Sequence, residues 1–252
     1  MWYDYAEAWL HFPMGKVLDY GCGNGSFLER LVERADECWG VDIDPDKVAA
    51  AQRLAPGRVR CVAPDEALPF PDATFDTVAI LEVIEHVSDE RSVLAELARV
   101  LKPGGRMLLT TPHKGLLTFI DPGNFKFVAP GFHRFIQCTV LRRKAYYEER
   151  FGRVRRSEAG MVADFTVDQK PWHRHYRYRQ IRALVPEELE TVGWAAYFPA
   201  FRAIWSFGLV LKVMTRGWVK NLPPPLPWVN KRLSRWQTTL GDQLVILFQK
   251  RA

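Results

Sequence analysis

The feature that most constrains the fold is a glycine-rich turn between a short apolar segment and an amphipathic one. Residues 17–20 have the composition of a buried strand, and three glycines follow at alternate positions in residues 21–25. Apolar residues then recur at the spacing of a helix face across residues 27–35. This order predicts a ligand-binding corner, because backbone without a Cβ lets a ligand approach and the first N–H groups of a helix favour an anionic group.

The spacing of the glycines separates two kinds of nucleotide site. The dinucleotide fingerprint, G-x-G-x-x-G, requires a glycine where this chain has Ser26. The chain has instead an aspartate, Asp19, two residues before a G-x-G-x-G run. This arrangement resembles the first motif of the class I S-adenosylmethionine (SAM) methyltransferases. The alternative is a tight strand-to-helix turn that holds no ligand.

Three further segments resemble the same family and follow in its order. They are Val-Asp-Ile-Asp-Pro at residues 41–45, the loop and strand at residues 64–78, and Leu-Lys-Pro-Gly-Gly at residues 101–105, before a fifth predicted strand. With the glycine turn they cover residues 17–112. The resemblance implies an α/β fold with a doubly wound, seven-stranded, mostly parallel sheet, the Rossmann-like fold of these methyltransferases.

The resemblance also implies a cofactor, SAM, with S-adenosylhomocysteine as its product. Asp42 lies about 20 residues beyond the glycines, where an acid at the end of a strand is placed to accept ribose hydroxyls. Ile43 would cover the adenine. We favour Asp65 for the adenine amino group, because Pro64 stands where many relatives carry an acid. The predicted cofactor residues are Asp19, Gly21, Cys22, Gly23, Asn24, Gly25, Phe27, Asp42, Ile43, Asp65, Glu66 and Leu81.

The segment after the fourth predicted strand carries the candidate catalytic residues. If this segment is helical, Glu82, Glu85 and His86 share one face. Its E-x-x-E-H step resembles the ubiquinone-pathway O-methyltransferases and the small-RNA 3′-end methyltransferases, in which these positions lie on the substrate side of the sulfonium. We therefore predict Glu85, His86 and His113, the first residue past the fifth strand, as catalytic residues.

The same step leaves other interpretations open. Two carboxylates and an imidazole would suit a Mg²⁺ or Mn²⁺ ion, with His113 completing the site, or the step could be purely structural. We favour a metal-free active site and predict no metal ligand. The corresponding alternatives for the function are a metal-dependent methyltransferase acting on RNA ends and a SAM-binding protein without catalysis.

The remaining elements and two insertions follow the strand motifs. Residues 186–194 resemble the family's sixth helix, a strand is predicted over residues 195–200, and the last strand, residues 243–249, is expected to be antiparallel and inside the sheet edge. Residues 113–183 are predicted to form a substrate lid. Residues 202–242 form a hydrophobic and basic insertion before the last strand. We predict that the whole chain, residues 1–252, is a single methyltransferase domain.

The second insertion favours contact with a membrane surface. Lys212, Arg216 and Lys220 are spaced by four beside many apolar residues, which is typical of a helix lying in a membrane interface. The alternatives are a helical hairpin packed on the lid and a contact between two copies in a homodimer. The high Trp and Phe content argues against nucleic acid as the main partner.

Composition narrows the setting in which such a protein would act. The net charge of +6 is concentrated in the second half of the chain, which favours an anionic partner. The four cysteines have no C-x-x-C spacing, so we expect them to be reduced in a cytoplasmic protein, peripheral on the inner face of the membrane. The predicted function is transfer of a methyl from SAM to a lipophilic or membrane-associated small molecule that bears a hydroxyl.

Overall fold

The computed structural model divides the chain into two compact units. It describes residues 3–63, 66–114, 130–140, 142–151, 156–157, 160–161, 174–197, 241 and 243–252. The first unit contains Met1–Thr111, Tyr178–Ala195 and Leu244–Ala252, and the second contains Pro112–Arg177 and Ala196–Gln243. Most of the two predicted insertions therefore belongs to the second unit, although Asp65 and nearly all of residues 202–242 lie outside the described residues.

A seven-stranded mixed sheet carries the core, as the sequence predicted. The strands of the described residues are β1 (Lys16–Tyr20), β2 (Glu37–Asp42), β3 (Val59–Cys61), β4 (Phe75–Leu81), β5 (Leu101–Pro112), β6 (Arg156–Ser157), β7 (Gly160–Met161), β8 (Leu189–Tyr197) and β9 (Gln243–Lys250). The order in the large sheet is β3-β2-β1-β4-β5-β9-β8, and β6 and β7 form a separate antiparallel pair.

The helices begin at sequence signals that explain their positions. They are α1 (Asp4–Glu7), α2 (Leu28–Val32), α3 (Pro45–Ala51), α4 (Glu90–Val100), α5 (Pro130–Phe135), α6 (Lys144–Phe151) and α7 (Tyr178–Leu184), with a 3₁₀ turn at Ile84–His86 and a π-helical turn at Ile136–Val140. Asp44 caps α3 by accepting a hydrogen bond from the Asp46 N–H at 3.0 Å. Asp89 caps α4 in the same way, from the Ser92 N–H at 3.1 Å. None of the described helices is long and apolar enough to cross a membrane.

Parallel pairing at the centre of the sheet brings the predicted site residues to one edge of the sheet. Strand β1 pairs in parallel with β2 on one side and β4 on the other, so that Leu18 lies between Trp39 and Val78. The carboxyl ends of β1, β2 and β4 therefore meet at the same edge, where ligands bind in open α/β sheets. The glycine turn, Asp42 and the Glu82–His86 segment all follow those ends.

The last strand lies inside the sheet edge and runs antiparallel, as predicted. The N–H of Arg251, just past β9, donates to the Glu188 carbonyl at 2.8 Å, just before β8. At the same end of β9, the Lys250 ammonium donates to the carbonyl of Leu101, the first residue of β5, at 3.1 Å. Because the end of β9 lies beside the starts of β5 and β8, it runs opposite to both.

The predicted sixth helix is wrong. Helix α7 ends at Leu184, and β8 begins at Leu189, so residues 186–194 contain no helix and the strand starts six residues before the predicted position. A proline at position 186 ends the helix, because it excludes the helical conformation from the residue before it. Leu189 is buried while Val192 and Trp194 are exposed, which is the period of two that a strand requires.

Strand β5 also starts earlier than the sequence indicated. It begins at Leu101 rather than after the Lys-Pro-Gly-Gly run, because Leu101 already pairs with Phe75 of β4. The pairing then jumps to Thr77 and Arg106, so the extra residues form an irregularity at the beginning of the strand. Gly104 allows it by adopting a φ of +75°.

Candidate active site

The glycine turn leaves bare backbone at the end of β1. Gly21 and Cys22 both donate their N–H groups to the Val41 carbonyl of β2, at 2.8 and 3.0 Å, which fixes the turn beside the neighbouring strand. Gly21 adopts a φ of +75°, and a Cβ there would overlap the Val83 side chain. Gly23 has a φ of +55° and nothing within 4 Å of the place where a Cβ would stand. Packing thus explains Gly21, whereas Gly23 borders open space that a ligand can approach.

Asp42 is held at the end of β2 by two backbone hydrogen bonds. Its Oδ2 accepts from the Gly23 N–H at 2.8 Å, and its Oδ1 accepts from the Asp44 N–H at 3.0 Å. Each carboxylate oxygen has a second lone pair, so both can still accept a hydrogen bond from a hydroxyl. The carboxylate is therefore oriented before any ligand arrives, in the position predicted for the ribose.

Asp19 carries a buried oxygen without a partner. Only 2% of the residue is exposed, and its Oδ2 has no hydrogen-bond partner among the described residues. Burial, and after it the negative charge of Asp42, raises the pKa of Asp19 to about 7. A buried acceptor left unpaired is costly, so a cationic donor placed here would be bound favourably. The ammonium group of a ligand is such a donor.

The other predicted cofactor residues have varied surroundings. Cys22 is buried under the turn, and burial raises the pKa of its thiol, so it is an uncharged packing residue. Asn24 is exposed and accepts from the Ser26 hydroxyl at 2.7 Å. Leu81 is buried at the end of β4, Ile43 is half-buried, and Glu66 is exposed. Gly25 has a φ of +88° and packs closely against Leu54 and Ala51.

Phe27 packs against Tyr3, a residue that the sequence patterns did not identify. The Phe27 ring is buried, and its centroid lies 5.0 Å from that of Tyr3. Burial, then the charges of Asp19 and Glu82, raises the pKa of the Tyr3 hydroxyl, so this hydroxyl lies within electrostatic reach of both carboxylates. The first twelve residues are rich in aromatic side chains, and this pattern could have indicated a role for the segment. It does not distinguish Tyr3 from its aromatic neighbours.

An ion pair and a hydrogen bond hold the amino-terminal arm, residues 3–10, against α2 and the residues just after it. Glu7 forms an ion pair with Arg30 at 3.0 Å, and Arg34 donates to the Leu10 carbonyl at 2.7 Å. Tyr3 is therefore carried by an arm that is anchored beside the glycine turn.

The segment after β4 is not the helix that would align three side chains. Only Ile84–His86 forms a turn, of the 3₁₀ kind, and Glu82 precedes it with a φ of +56°. Glu82 accepts from the Thr110 hydroxyl at 2.8 Å, and Glu85 accepts from the Thr111 hydroxyl at 3.3 Å. Consecutive strand residues point to opposite faces, so the two carboxylates bond to opposite sides of β5.

Glu85 and His86 form a pair of unequal exposure. The Nε2 of His86 lies 3.8 Å from Oε1 of Glu85, and the side chains are 10% and 1% exposed. The Thr111 hydroxyl donates to the buried carboxylate and so helps to fix it beside the imidazole.

His113 belongs to the second unit and has its own fixed geometry. Its Nδ1 lies 2.7 Å from the Gly241 carbonyl, and because a carbonyl only accepts, Nδ1 carries the proton. Burial lowers the pKa of His113, which favours the neutral ring with its lone pair on Nε2. The backbone on either side is fixed by a parallel bridge to Tyr176.

Metal ligands do not gather in the part of the chain that is described. Within those residues, no group of three or more His, Cys, Asp or Glu side chains is placed to hold a metal ion. The arrangement of Glu82 and Glu85 on opposite sides of β5 accounts for part of this.

The comparisons with known proteins concern the fold and the family of the chain. Residues 18–109 match the family described as a methyltransferase domain. This match supports the class I SAM-dependent methyltransferase domain that the motifs predicted for this part of the chain. The match ends before the second unit begins.

Curated relatives match somewhat less than half of the chain. A ubiquinone biosynthesis O-methyltransferase from Idiomarina loihiensis is 36% identical over 110 residues, 42% of this chain and 45% of that protein. A demethylmenaquinone methyltransferase from Thermus thermophilus is 38% identical over 124 residues, 46% of this chain and 56% of that protein. The chain thus spans about half the length of the curated relatives it matches.

Solved structures confirm the fold. A SAM-dependent methyltransferase from Mesorhizobium loti aligns with a TM-score of 0.56 at 15% identity, covering 99% of this chain and 98% of that one. A SAM-dependent methyltransferase from Thermotoga maritima aligns with a TM-score of 0.54 at 16% identity, covering 98% and 88%. At these identities the likeness concerns the fold alone.

Proposed function

We propose that the chain transfers a methyl group from SAM to a hydroxyl of a lipophilic small molecule. The observation that carries the proposal is the buried Oδ2 of Asp19, which has no hydrogen-bond partner among the described residues and is influenced by the charge of the Asp42 carboxylate. Asp19 offers an acceptor for a cation, and Asp42 offers acceptors for hydroxyls. The two residues lie at the ends of the neighbouring strands β1 and β2. SAM carries both kinds of group.

The cofactor end of the site works by orientation. When bound, SAM supplies an electrophilic methyl group on its sulfonium. Asp19 would hold the ammonium, and Asp42 would hold the ribose with an orientation set by Gly23 and Asp44. Ile43 and Asp65 are proposed for the adenine. These contacts fix the sulfonium so that a nucleophile need only arrive in line, within about 3 to 3.5 Å.

The acceptor end must remove a proton from the hydroxyl. His86 is our first candidate, because the carboxylate of Glu85 stabilises the imidazolium that forms. His113 is the second candidate, because its protonated Nδ1 leaves the lone pair on Nε2. Neither role requires a metal ion.

The substrate class is proposed from the relatives together with the sequence. The two relatives described above are named for the biosynthesis of ubiquinone and for the methylation of demethylmenaquinone. Both names refer to quinones, which are lipophilic, and the basic, apolar residues 202–242 suit the surface of a membrane that holds such an acceptor. We therefore propose a cytoplasmic protein that acts at a membrane surface.

Two measurements test the proposal. Isothermal titration calorimetry should show SAM binding to the wild type that is weakened by Asp19→Asn and unchanged by Asp46→Asn, an exposed acid on α3. Incubation with labelled SAM and a lipid extract, followed by mass spectrometry, should show a methylated lipid that His86→Ala does not produce. Absence of SAM binding would refute the proposal, and binding without a methylated product would refute the transferase activity.

A further inference from the structure

We infer that helix α5 and the basic turn before α6 form a surface of the second unit that binds anionic lipid membranes. We call it the Phe–Arg surface, and its residues are Phe132, Arg134, Phe135, Arg142, Arg143 and Lys144. It is separate in sequence from residues 202–242. The inference rests on the proposed function in one respect, because an acceptor with a lipophilic body would be found in a bilayer.

The apolar part consists of two phenylalanines on one helix face. Phe132 and Phe135 are three residues apart in α5, so their rings lie on the same side of the helix. Their exposed fractions are 48% and 50%, an unusual exposure for large apolar side chains. Rings presented in this way can enter the boundary between lipid headgroups and acyl chains, where an interfacial helix buries its apolar face.

The charged part lies beside them in the sequence. Arg134 is exposed and lies between the two phenylalanines in the sequence, and three consecutive cations, Arg142, Arg143 and Lys144, are exposed at the turn into α6. The Arg143 N–H donates to the Gln137 carbonyl at 2.9 Å, which folds this turn back on the π-helical segment. The backbone of this turn is therefore held beside the π-helical segment that follows α5.

The excess of positive charge on the Phe–Arg surface favours an anionic partner. Within the part of the chain that the structure describes, the acid recorded against this surface is Glu148, which lies 3.1 Å from Arg134. Facing surfaces of two copies of the chain would place like charges together, whereas a layer of anionic headgroups would complement them. Exposed rings beside cations are the pattern of a helix that lies in a membrane interface, and each basic residue near the surface strengthens membrane binding about fivefold.

Vesicle binding by the full chain tests the inference. Sedimentation with vesicles of equal parts phosphatidylcholine and phosphatidylglycerol should pellet the wild type, and vesicles of phosphatidylcholine alone should pellet much less. Replacing the three cations at the turn (Arg142→Gln, Arg143→Gln and Lys144→Gln) should weaken binding about a hundredfold, from fivefold per charge. The pair Phe132→Ser and Phe135→Ser should weaken it about tenfold.

Matched variants in the first unit serve as controls. Val32 is 43% exposed on α2, and Arg53 and Arg58 are exposed cations. Val32→Ser and the pair Arg53→Gln with Arg58→Gln should bind vesicles as the wild type does. Because the three cations at the turn are exposed, their replacement should leave the thermal unfolding midpoint unchanged, so a loss of binding cannot be assigned to misfolding.

Several outcomes would overturn the inference. They are a wild type that stays in solution with anionic vesicles, unchanged binding in both sets of variants, and an equal loss in the first-unit controls. Tight binding of single-stranded RNA that the same variants abolish, with no vesicle binding, would assign the surface to nucleic acid instead. SAM titration of each variant separates this inference from the proposed function, because loss of SAM binding by the wild type refutes the latter without altering vesicle binding.

Discussion

The carboxylates at the proposed cofactor end of the candidate site differ in their hydrogen-bond partners from those at the proposed acceptor end. At the acceptor end, Glu82 and Glu85 each accept a hydrogen bond from a threonine hydroxyl of β5. At the cofactor end, Asp42 is held by backbone N–H groups, but one oxygen of Asp19 is left without a partner. A fold rarely leaves a buried acceptor unpaired. Among the described residues the other such oxygen is Oε1 of Gln137, in the second unit, and for Asp19 we propose that the cofactor supplies the missing donor.

This contrast predicts that substitutions at the two ends affect different quantities, turnover at one end and SAM affinity at the other. Substitutions at the acceptor end should alter turnover and leave SAM affinity unchanged, because Glu82, Glu85 and His86 have partners within the protein. Substitutions at the cofactor end should alter SAM affinity directly. The predictions below test that division, from the largest effect to the smallest.

The largest effect is expected from His86→Ala. Removing a general base costs about a hundredfold to ten-thousandfold in rate, so kcat should fall within that range. The dissociation constant for SAM should stay within about twofold of the wild type, because His86 is paired with Glu85 and not with the glycine turn. Steady-state kinetics with a short-chain quinol, together with calorimetry, measures both.

A histidine control makes that result specific. His11 is exposed in the amino-terminal segment, and His11→Ala should leave kcat unchanged. If His86→Ala weakens SAM binding as much as it lowers kcat, the two ends of the site are not separable as described.

The second effect concerns Asp42→Ala. This change removes two charge-assisted hydrogen bonds to the ribose, each of about 1.5 to 3 kcal/mol, and also frees the Gly23 N–H. SAM affinity should fall at least about a hundredfold by calorimetry. Asp42→Asn keeps the shape but weakens the acceptor, so it should give an intermediate loss, and equal affinity of both variants and the wild type would contradict the assignment.

The third effect is a dependence of SAM affinity on pH. The pKa of Asp19 is raised to about 7, and a bound ammonium would favour its charged form and lower that pKa. Binding should therefore release a proton and tighten about tenfold from about pH 6 to about pH 8. Titrations in buffers of different ionisation enthalpy detect the proton, and Asp19→Asn should abolish both the release and the slope.

The same group predicts the opposite slope for the stability of the ligand-free protein. Because the folded pKa lies above the unfolded one, the folded state binds the extra proton between about pH 4 and pH 7. The contribution of Asp19 to the free energy of unfolding is thus present at low pH and lost as the pH rises through about 7. Thermal melts of the wild type should show this loss, and the melts of Asp19→Asn should not.

The sequence predicted the local geometry after β1 and β2 better than that of the segment after β4, for a physical reason. Glycines and an acid after a strand are local signals, and the structure places Gly23 and Asp42 within one hydrogen bond of each other. The partners of Glu82 and Glu85 lie about 26 to 28 residues away on β5, where no local pattern reveals them. The wrong helix at residues 186–194 has the same cause, because an edge strand is decided by its neighbour β9.

The smallest effect tests the residue that local patterns missed. Tyr3→Phe keeps the ring that packs 5.0 Å from Phe27 and removes only the hydroxyl near Asp19 and Glu82. If that hydroxyl contributes one hydrogen bond to the cofactor end, SAM affinity should fall about fivefold, with the unfolding midpoint unchanged. Tyr178→Phe is the matched control, because its hydroxyl donates to Thr191 on β8 at 3.1 Å. Wild-type affinity in Tyr3→Phe would limit the arm to packing and leave Asp19 as the buried acceptor to which, in our proposal, the ligand donates.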